Sequence, residues 1–548
     1  MKIFVFTMLE LFFLPVLLLS QDWQTYPYQP ANTEISFPKD EGAHPGSKME
    51  WWYVNFHLKA DSSGTKYGVM VTYFNNQVKI LNITDETNGA FYPGSQLGTL
   101  NSGTNYLHLF HMTSTNPRPD RFLTLSSEGQ LKPFQYYLNA VYGNRGVELF
   151  LKALKPPLLI SGNGYLPVGS SGSSYYYSLP LLGVHGKLTL AGQAEAVSGI
   201  GWLDHQWGNF FVTPSSKESY EWFSVQLNDN RQLVFWDIFT EQNKIPRDRA
   251  HKMCTLSFRD GHQDTSLSFR IQRLAFWRDK RGLIFSHGWE FTDPLHDIRL
   301  RIQPAFDNQV ANVLGSMPFY EGSCTISGTW QGEDVSGAGY AELLHKYSQP
   351  KIQILSPAGG EIFGRTLRAS WKVLNPDDGV SLTFSVSLVN DSTKAVFPLL
   401  KTNKIGPVSL PLGTIPPGLS YRLVVEATSA DSLLSGKAIS NPFSVGKSAV
   451  SGVTVFPIFP NPFYRFATLA LYREAAAGDA SLLTVSICIR NLLGECVFRR
   501  EIRLPSNTLV RTFWKGRNTA GFQLPSGVYF AQITIRHSTI VQKIVLLR

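Results

Sequence analysis

The sequence predicts an all-β protein of several domains. Its length of 548 residues is several times that of an average domain, which has about 150 residues. Aromatic residues make up 13% of the chain, and 45 Gly and 32 Pro are spread along it without a period. This composition favours β-sandwiches and barrels over helical bundles, and no long stretch repeats with the helical period. The hydrophobic fraction of 43% against 17% charged residues excludes a disordered chain.

The first 20 residues have the pattern of a secretory signal peptide. Lys2 supplies the positive start, residues 11–19 form a short apolar run, and the small Ser20 precedes Gln21. The run is shorter than the roughly 20 apolar residues that a membrane-spanning helix requires. We therefore expect export, followed by removal of residues 1–20, and no stable transmembrane segment.

The region 22–346 reads as many short strands. Turn signals such as Asp61-Ser62-Ser63-Gly64 and Asp260-Gly261 separate the apolar runs. In the run 222–228, Trp222, Ser224 and Gln226 alternate with Phe223, Val225 and Leu227, as expected for a strand with two different faces. The pattern predicts one or two β-barrels in this region.

Two smaller strand-rich segments follow after Pro350. The first ends near Val445 and has the strand spacing of a small β-sandwich. The second fills the last 100 or so residues. We predict domains over residues 21–210, 211–348, 349–446 and 447–548.

The excess positive charge lies in the last segment. Residues 447–548 carry 13 Lys and Arg against 4 Asp and Glu, which accounts for the net charge of +9 of the whole chain. The Arg residues are scattered through strand-like runs, which favours a solvated β-domain over a nucleic-acid-binding tail. The four Cys residues match no zinc spacing, and we expect four ordinary thiols. A turn at Leu493-Gly494 places Cys488 opposite residue 499 and not opposite Cys496.

The last two segments resemble known modules of exported bacterial proteins. The C-terminal segment is similar to the sorting domain of type IX secretion substrates over about 90 residues, through Pro460-Asn461-Pro462-Phe463, Asn491-Leu492-Leu493-Gly494-Glu495, Trp514-Lys515-Gly516 and Ser526-Gly527-Val528-Tyr529-Phe530. The segment before it resembles Ig-like modules, through Ser356-Pro357-Ala358-Gly359-Gly360-Glu361 and Trp371. These resemblances imply that the partner of the C-terminal domain is the type IX secretion machinery and that the protein is secreted or held at the cell surface.

The region 22–346 resembles the carotenoid hydratase family and its wider group of lipocalin-like exported proteins. The resemblance rests on ordered blocks over about 300 residues, among them Glu50-Trp51-Trp52-Tyr53, Asp204-His205-Gln206-Trp207-Gly208, Tyr320-Glu321-Gly322 and Gly339-Tyr340-Ala341-Glu342-Leu343. It implies two consecutive lipocalin-like β-barrels packed together. The family is chemically mixed, and its hydratases act on unsaturated lipophilic molecules.

The block Asp204-His205-Gln206-Trp207 concentrates polar chemistry within four positions. In an extended strand, Asp204 faces one side while His205 and Trp207 face the other. The structural interpretation is that Asp204 hydrogen-bonds a turn and Trp207 closes a barrel end. The functional interpretation, which the resemblance implies, makes His205 and Trp207 active-site residues.

Asp237 stands in the otherwise apolar run 233–239. A carboxylic acid buried in an aromatic pocket can stay protonated near neutral pH and protonate an alkene. Trp207 or Trp236 could then stabilise the resulting cation, and His205 could orient the water. The resemblance maps its downstream catalytic Asp onto Asp237, but Phe235 stands where the family carries a Tyr.

We therefore predict Asp237, His205 and Trp207 as catalytic residues. Trp236, Phe235, Glu50, Trp52 and Asp204 are predicted to contact the ligand. The sequence predicts no cofactor and no metal site, because His108 and His111 stand three apart on a strand and face opposite sides. P-loop, dinucleotide and Ser/His/Asp patterns are not found in the sequence, and no nucleic-acid partner is expected.

Three functions remain open from the sequence alone. The first is a cofactor-independent hydratase or isomerase acting on a lipophilic small molecule, which predicts that Asp237 faces an apolar cavity together with His205 or Trp207. The second is a non-catalytic binder of a lipophilic ligand, which predicts the cavity with its polar residues engaged in structural hydrogen bonds. The third is a surface spacer, which predicts no cavity.

Overall fold

The computed structural model describes residues 22–548 except 115, 211–216, 365, 447–448, 451 and 474–480. The side chains of residues 116–117 and 449–450 are also left undescribed. The predicted signal peptide lies outside the described residues. The chain forms two compact units: residues up to Tyr347 together with Asp377–Gly379, and Ser348–Pro376 together with Val380–Arg548.

The first unit begins with a large antiparallel sheet that is strongly curled into a half-barrel. The spatial order of its main path is β4-β3-β2-β1-β14-β13-β10-β9-β8-β7-β6, and β5, β11 and β12 pair at its margins. Its strands are β1 (Met49–Ala60), β2 (Lys66–Phe74), β3 (Val78–Asp85), β4 (Ala90–Tyr92), β5 (Ser95–Leu97), β6 (Thr99–Ser102), β7 (His108–Thr113), β8 (Asn116–Ser127), β9 (Gln130–Tyr142), β10 (Arg145–Ala153), β11 (Leu158–Leu159), β12 (Tyr165–Val168), β13 (Gly172–Leu190) and β14 (Gln193–Asn209).

A second curled sheet completes the first unit. Its spatial order is β18-β17-β16-β15-β26-β25-β23-β22-β19, with β24 beside β25, while β20 and β21 form a separate hairpin. These strands are β15 (Ser219–Leu227), β16 (Gln232–Phe239), β17 (Lys252–Ser257), β18 (Gln263–Ser266), β19 (Arg270–Arg273), β20 (Phe276–Arg278), β21 (Ile284–Ser286), β22 (Trp289–Asp293), β23 (Ile298–Pro304), β24 (Val310–Val313), β25 (Met317–Trp330) and β26 (Glu333–Leu343).

Strand alternation divides the apolar residues of this unit among three cores. On β1, Trp52 and Val54 point into the first half-barrel, whereas Tyr53 packs between the two sheets. On β15, Phe223 points into the second half-barrel and Trp222 packs between the sheets. Successive residues of a strand face opposite sides, so each central strand contributes both to its own half-barrel and to the shared core.

Helical structure in the described part of the chain is limited to two 3-10 turns, Lys39–Glu41 and Ile160–Gly162. Among those residues, no helix combines the length and the apolar character that crossing a membrane demands.

The second unit contains four smaller sheets, ordered β27-β29-β32, β28-β35-β33-β30-β31 with β34 beside β33, β36-β37-β38-β41, and β40-β39-β42-β43. The strands are β27 (Ile352–Ser356), β28 (Ile362–Phe363), β29 (Thr366–Val373), β30 (Thr383–Asn390), β31 (Val396–Thr402), β32 (Val408–Pro411), β33 (Gly418–Thr428), β34 (Ser435–Ile439), β35 (Phe443–Val445), β36 (Ala449–Val450), β37 (Val453–Val455), β38 (Ala467–Arg473), β39 (Leu483–Arg490), β40 (Cys496–Leu504), β41 (Leu509–Trp514), β42 (Gly527–Ile535) and β43 (Ser538–Leu546). One apolar core gathers around Trp371 and another around Trp514.

The expectation of four free thiols is wrong, because Cys488 and Cys496 form a disulfide. The expected register holds, since Cys488 lies opposite Arg499. A register shift beyond Ile489 then places Cys496 opposite Arg490, two residues from Cys488 on the same face. The two cysteines are therefore diagonal neighbours, a contact that turn position alone does not reveal. Cys254 and Cys324 are free and buried.

Candidate ligand site between the two half-barrels

A cavity of about 310 Å³ lies between the two curled sheets of the first unit. Its wall is mostly aromatic and aliphatic, with Trp51, Tyr53, Met70, Phe74, Val168, Phe210, Trp222, Trp236, Ile238, Val313, Phe319 and Leu344 among the lining residues. Among the described lining residues there is no Lys, Arg or His. A pocket of this size and polarity suits a small lipophilic molecule.

Two carboxyl groups interrupt this apolar wall. Asp204 comes from β14 of the first sheet, and Glu342 comes from β26 of the second sheet. The cavity therefore has one acidic side chain on each half-barrel.

Asp204 is buried and accepts hydrogen bonds from three side chains. The hydroxyl of Tyr176 donates at 2.6 Å, the hydroxyl of Ser178 at 2.5 Å and the indole N–H of Trp202 at 2.6 Å. Burial raises the pKa of Asp204 to about 7, although these donors act in the opposite direction. The indole N–H of Trp222 from the second sheet donates to the Tyr176 hydroxyl at 3.1 Å. Hydrogen bonds through Tyr176 therefore connect Asp204 with the opposite wall of the cavity.

Glu342 lies directly opposite Glu321 on the paired strands β25 and β26. The hydroxyl of Tyr220 donates to Glu342, and the hydroxyl of Tyr53 donates to Glu321 at 2.9 Å. Burial and then the neighbouring Glu342 hold the pKa of Glu321 well above its ordinary value, and burial also raises the pKa of Glu342. Two adjacent carboxyl groups in a largely apolar surrounding cannot both ionise at low cost, so each favours the protonated form of the other.

The cavity therefore combines an apolar binding volume with two wall carboxyl groups, Asp204 and Glu342, whose pKa values burial raises. An acid in such a place can protonate a poorly basic group of a bound molecule, for example a hydroxyl or an alkene. The indole rings of Trp222 and Trp236 border the same space and can stabilise a positive charge that develops there.

Of the residues predicted from the sequence, the structure places Asp204 and Trp236 at this cavity. It does not place His205, Trp207, Glu50 or Trp52 there. These four side chains face the interior of the first half-barrel, where His205 stacks on Trp52 with ring centroids 4.8 Å apart. The reason is strand alternation, since Asp204 and His205 are consecutive residues of β14 and face opposite sides.

Asp237 and Phe235 belong to the second half-barrel and also do not line the cavity. Phe235 packs in the apolar core of that half-barrel. The Asp237 carboxylate accepts hydrogen bonds from Lys252 at 2.8 Å and from Arg273 at 3.0 Å. Asp237 is therefore engaged by two cationic side chains, and the expectation that it faces an apolar cavity beside His205 is not met.

Sequence reasoning missed Glu342, Glu321 and Tyr176 as site residues. The two glutamates stand in the blocks that carry the family resemblance, but a sequence does not show that β25 and β26 place them opposite each other. Trp222 could have been predicted as a site residue, because its run alternates as a strand that places Trp222 and Phe223 on opposite faces.

The fold and the cavity together define a lipocalin-like protein of two half-barrels with an apolar cavity between them. The model of the AttH-like family matches residues 28–347, and the chain belongs to this family.

Individual proteins are also similar to this chain. Dehydratase asqC of Emericella nidulans is 23% identical over 206 residues, which are 36% of this chain and 58% of the dehydratase, so the chain spans little more than half of that relative. Among solved structures, an AttH protein of Nitrosomonas europaea is 21% identical with a TM-score of 0.47, over 58% of this chain and 98% of that one. Kievitone hydratase of Nectria haematococca is 17% identical with a TM-score of 0.46, over 59% of this chain and 99% of that one.

Proposed function

We propose that the first unit is a hydro-lyase-type enzyme that acts on a lipophilic small molecule bound between the two half-barrels. The observation that carries this proposal is the pair of opposed glutamates, of which Glu321 is buried and Glu342 borders an apolar cavity. An acid kept protonated in a dry pocket is what the addition or removal of water at an unactivated carbon requires.

In the dehydration direction, Glu342 gives its proton to a substrate hydroxyl, and the C–O bond breaks as water leaves. A neighbouring C–H bond then supplies the electron pair of the new double bond, and its proton passes to a carboxylate of the cavity wall, either Glu342 itself or Asp204. Hydration is the same sequence in reverse. Glu321 shares the proton with Glu342 and so keeps a protonated carboxyl group available to the cavity.

Two further observations support this class of reaction. The related protein from Emericella nidulans is named a dehydratase. The resemblance to carotenoid hydratases, which rests on ordered blocks over about 300 residues, supports an unsaturated lipophilic substrate.

The test begins with native mass spectrometry and solvent extraction of the purified full-length protein. We expect a lipophilic molecule to copurify or to bind from a panel of isoprenoids, flavonoids and polyketides, and water to be added or removed on incubation. Glu342→Gln is expected to retain binding and to lower the rate at least 100-fold, since general acid catalysis contributes about 10²–10⁴-fold. The matched control is Glu290→Gln, which changes a half-barrel glutamate paired with the exposed Arg299 and should leave both properties unchanged.

A non-catalytic binder is the second candidate, and one observation favours it. Asp204 accepts three hydrogen bonds and Glu342 accepts one from Tyr220, so both carboxyl groups have structural partners. Binding without turnover, in the wild type as in Glu342→Gln, would support the binder and reject the enzyme. The spacer function predicted no cavity, and the cavity contradicts that prediction.

The motifs of residues 447–548 support a further part of the proposal, which is export to the cell surface by the type IX secretion machinery. The signal-peptide pattern of residues 1–20 supports passage across the inner membrane first.

A further inference from the structure

A cluster of two histidines and one glutamate lies inside the first half-barrel, on the side of β14 away from the cavity. Nδ1 of His44 and Nε2 of His205 approach the same oxygen, Oε1 of Glu50, at 2.8 and 3.0 Å. The candidate ligand atoms of the three residues all lie within 4.8 Å of one another. His205 and Glu50 are buried, while the side chain of His44 is 21% exposed.

His205 stands between two hydrogen-bond acceptors. Its Nδ1 lies 3.0 Å from the backbone carbonyl oxygen of Asp40. A carbonyl oxygen can only accept, so Nδ1 carries the hydrogen and a neutral ring has its lone pair on Nε2. That lone pair points at Glu50, which also accepts the backbone N–H of His44. A proton on His205 Nε2, a proton on the Glu50 carboxyl group or a bound cation must separate the two facing acceptors.

His44 has the complementary arrangement. Its Nε2 lies 3.2 Å from Oδ1 of Asp40, so an N–H there leaves Nδ1 free to act as a ligand. Asp40 therefore orients both rings, one through its carbonyl oxygen and the other through its carboxylate. Histidines that bind a metal have this outer partner in almost every case.

The two separations between the histidine nitrogens and Glu50 Oε1 suit a metal ion. Ligand bonds of about 2.1 Å with ligand atoms near 3 Å apart subtend about 90° at the ion, the angle between neighbouring positions of an octahedron. Two imidazoles and one carboxylate are ligands of divalent Zn, Fe, Co and Ni.

We propose that His44, Glu50 and His205 bind one divalent first-row transition metal ion, with Asp40 as the residue that positions both histidines. The ion would tie the segment before β1 to the paired strands β1 and β14. The same stretch of β14 carries Asp204 on its opposite face, so this anchor would also fix the strand that forms the cavity wall.

The test uses the full-length protein, stripped with a chelator and then dialysed. With Zn²⁺ as the probe, we expect about one bound equivalent by elemental analysis after gel filtration and a rise in the melting temperature, because binding to the native state stabilises it. With Co²⁺, a visible absorption band of a nitrogen–oxygen site should appear. His44→Asn and Glu50→Gln should abolish both signals, and Asp40→Asn should lower the affinity about 10–100-fold.

His296→Asn is the matched control. His296 also lies between two carboxylates, Asp293 at 2.7 Å and Asp264 at 3.0 Å, but outside this cluster. The substitution His296→Asn should leave metal binding unchanged. The partly exposed His44 tolerates substitution better than the buried His205, and far-UV circular dichroism verifies the fold of each variant. Wild type that binds no more Zn²⁺ than His44→Asn, with both variants folded, would overturn the proposal and leave a hydrogen-bonded His–Glu–His cluster.

Discussion

Among single residues, the carboxyl groups of the central strands of the first unit differ mainly in what faces them. Glu342 faces another glutamate, so the pair holds a proton. Asp237 faces Lys252 and Arg273, and both cations form ion pairs with it. Glu342 and Asp237 look similar in the sequence, because each is an acidic residue within an apolar run. The identity of the neighbour on the next strand, which the sequence does not display, decides which of them can serve as an acid.

The glutamate pair predicts a pH dependence of stability. Groups whose pKa is raised on folding stabilise the folded state fully below the unfolded value, about 4.3 for Glu, and this contribution is lost as the pH rises through the raised pKa. The free energy of unfolding should therefore fall as the pH rises above about 4.3. The titratable groups around Glu342 are Glu321, Asp204, Tyr220, Tyr53 and Tyr176.

Glu342→Gln removes one of the coupled groups and should flatten this fall, by at most about 1.4 kcal/mol per pH unit. Urea unfolding between pH 4.5 and 8 measures the slope. Glu290→Gln, at the surface pair with Arg299, should keep the wild-type slope. An unchanged slope in Glu342→Gln would mean that the pair does not hold a shared proton.

Asp237→Asn is predicted to destabilise the protein and to leave ligand binding intact. The substitution leaves the side chains of Lys252 and Arg273 buried with one partner fewer. Breaking a buried ion pair from one side costs about 3–5 kcal/mol, whereas Glu290→Gln at the surface should cost under about 1 kcal/mol. Denaturant unfolding and the ligand assay give the two readouts. Lost turnover at unchanged stability would instead restore Asp237 as a catalytic residue.

At the scale of strands, a side chain of the second half-barrel forms hydrogen bonds with the backbone at an irregularity of β13. The pairing of β13 with β14 shifts between Leu179 and Leu182. The side-chain amide of Gln226 on β15 donates to the carbonyl oxygens of Pro180 at 2.9 Å and Gly201 at 2.8 Å. A buried side chain thus satisfies backbone groups that the bulge leaves without ladder partners.

Gln226→Leu should therefore destabilise the first unit by about 1–3 kcal/mol, since buried carbonyl groups lose their donor. The chain offers a matched control in Gln232, which lies opposite Gln226 on β16. Gln232 is also buried, and no described residue offers its side-chain amide a hydrogen bond. Gln232→Leu should be neutral or stabilising, and equal costs for the two substitutions would contradict the role of Gln226.

Strand periodicity predicted which way individual side chains face but not what they meet. Alternation correctly separates Asp204 from His205 and Trp222 from Phe223, because a strand has a fixed period of two. The cavity, however, lies between two sheets, and its lining comes from strands as far apart as β1 and β26. Pairing across such distances depends on topology, which is why Glu342 and His44 carried no signal of their roles. The disulfide escaped prediction for a related reason, a register shift within a hairpin.

At the scale of the whole molecule, fold class was predictable and chemistry was not. Composition and turn spacing imply β-structure throughout, and the family blocks imply two packed lipocalin-like β-barrels, which the structure shows as two curled half-barrel sheets. The prediction for the last segment differs in kind, because it concerns where the protein is exported and not how the segment folds. Its basic charge and its Pro460-Asn461-Pro462-Phe463 and Gly527-Val528-Tyr529-Phe530 motifs support the prediction of export. An export experiment is needed to test that prediction.

Removal of residues 447–548 should retain the protein in the periplasm of a bacterium with a type IX secretion system. The tail resembles a sorting domain, and its core is built around Trp514 and not around residues of the first unit. Immunoblots of periplasmic, surface and medium fractions measure the distribution, while the ligand and Zn²⁺ assays on the truncated protein should give the full-length values. A control with Trp371→Phe, in the preceding module, should be exported normally. Export of the truncated protein would show that residues 447–548 are not the export signal. Loss of ligand binding would show that the first unit depends on these residues.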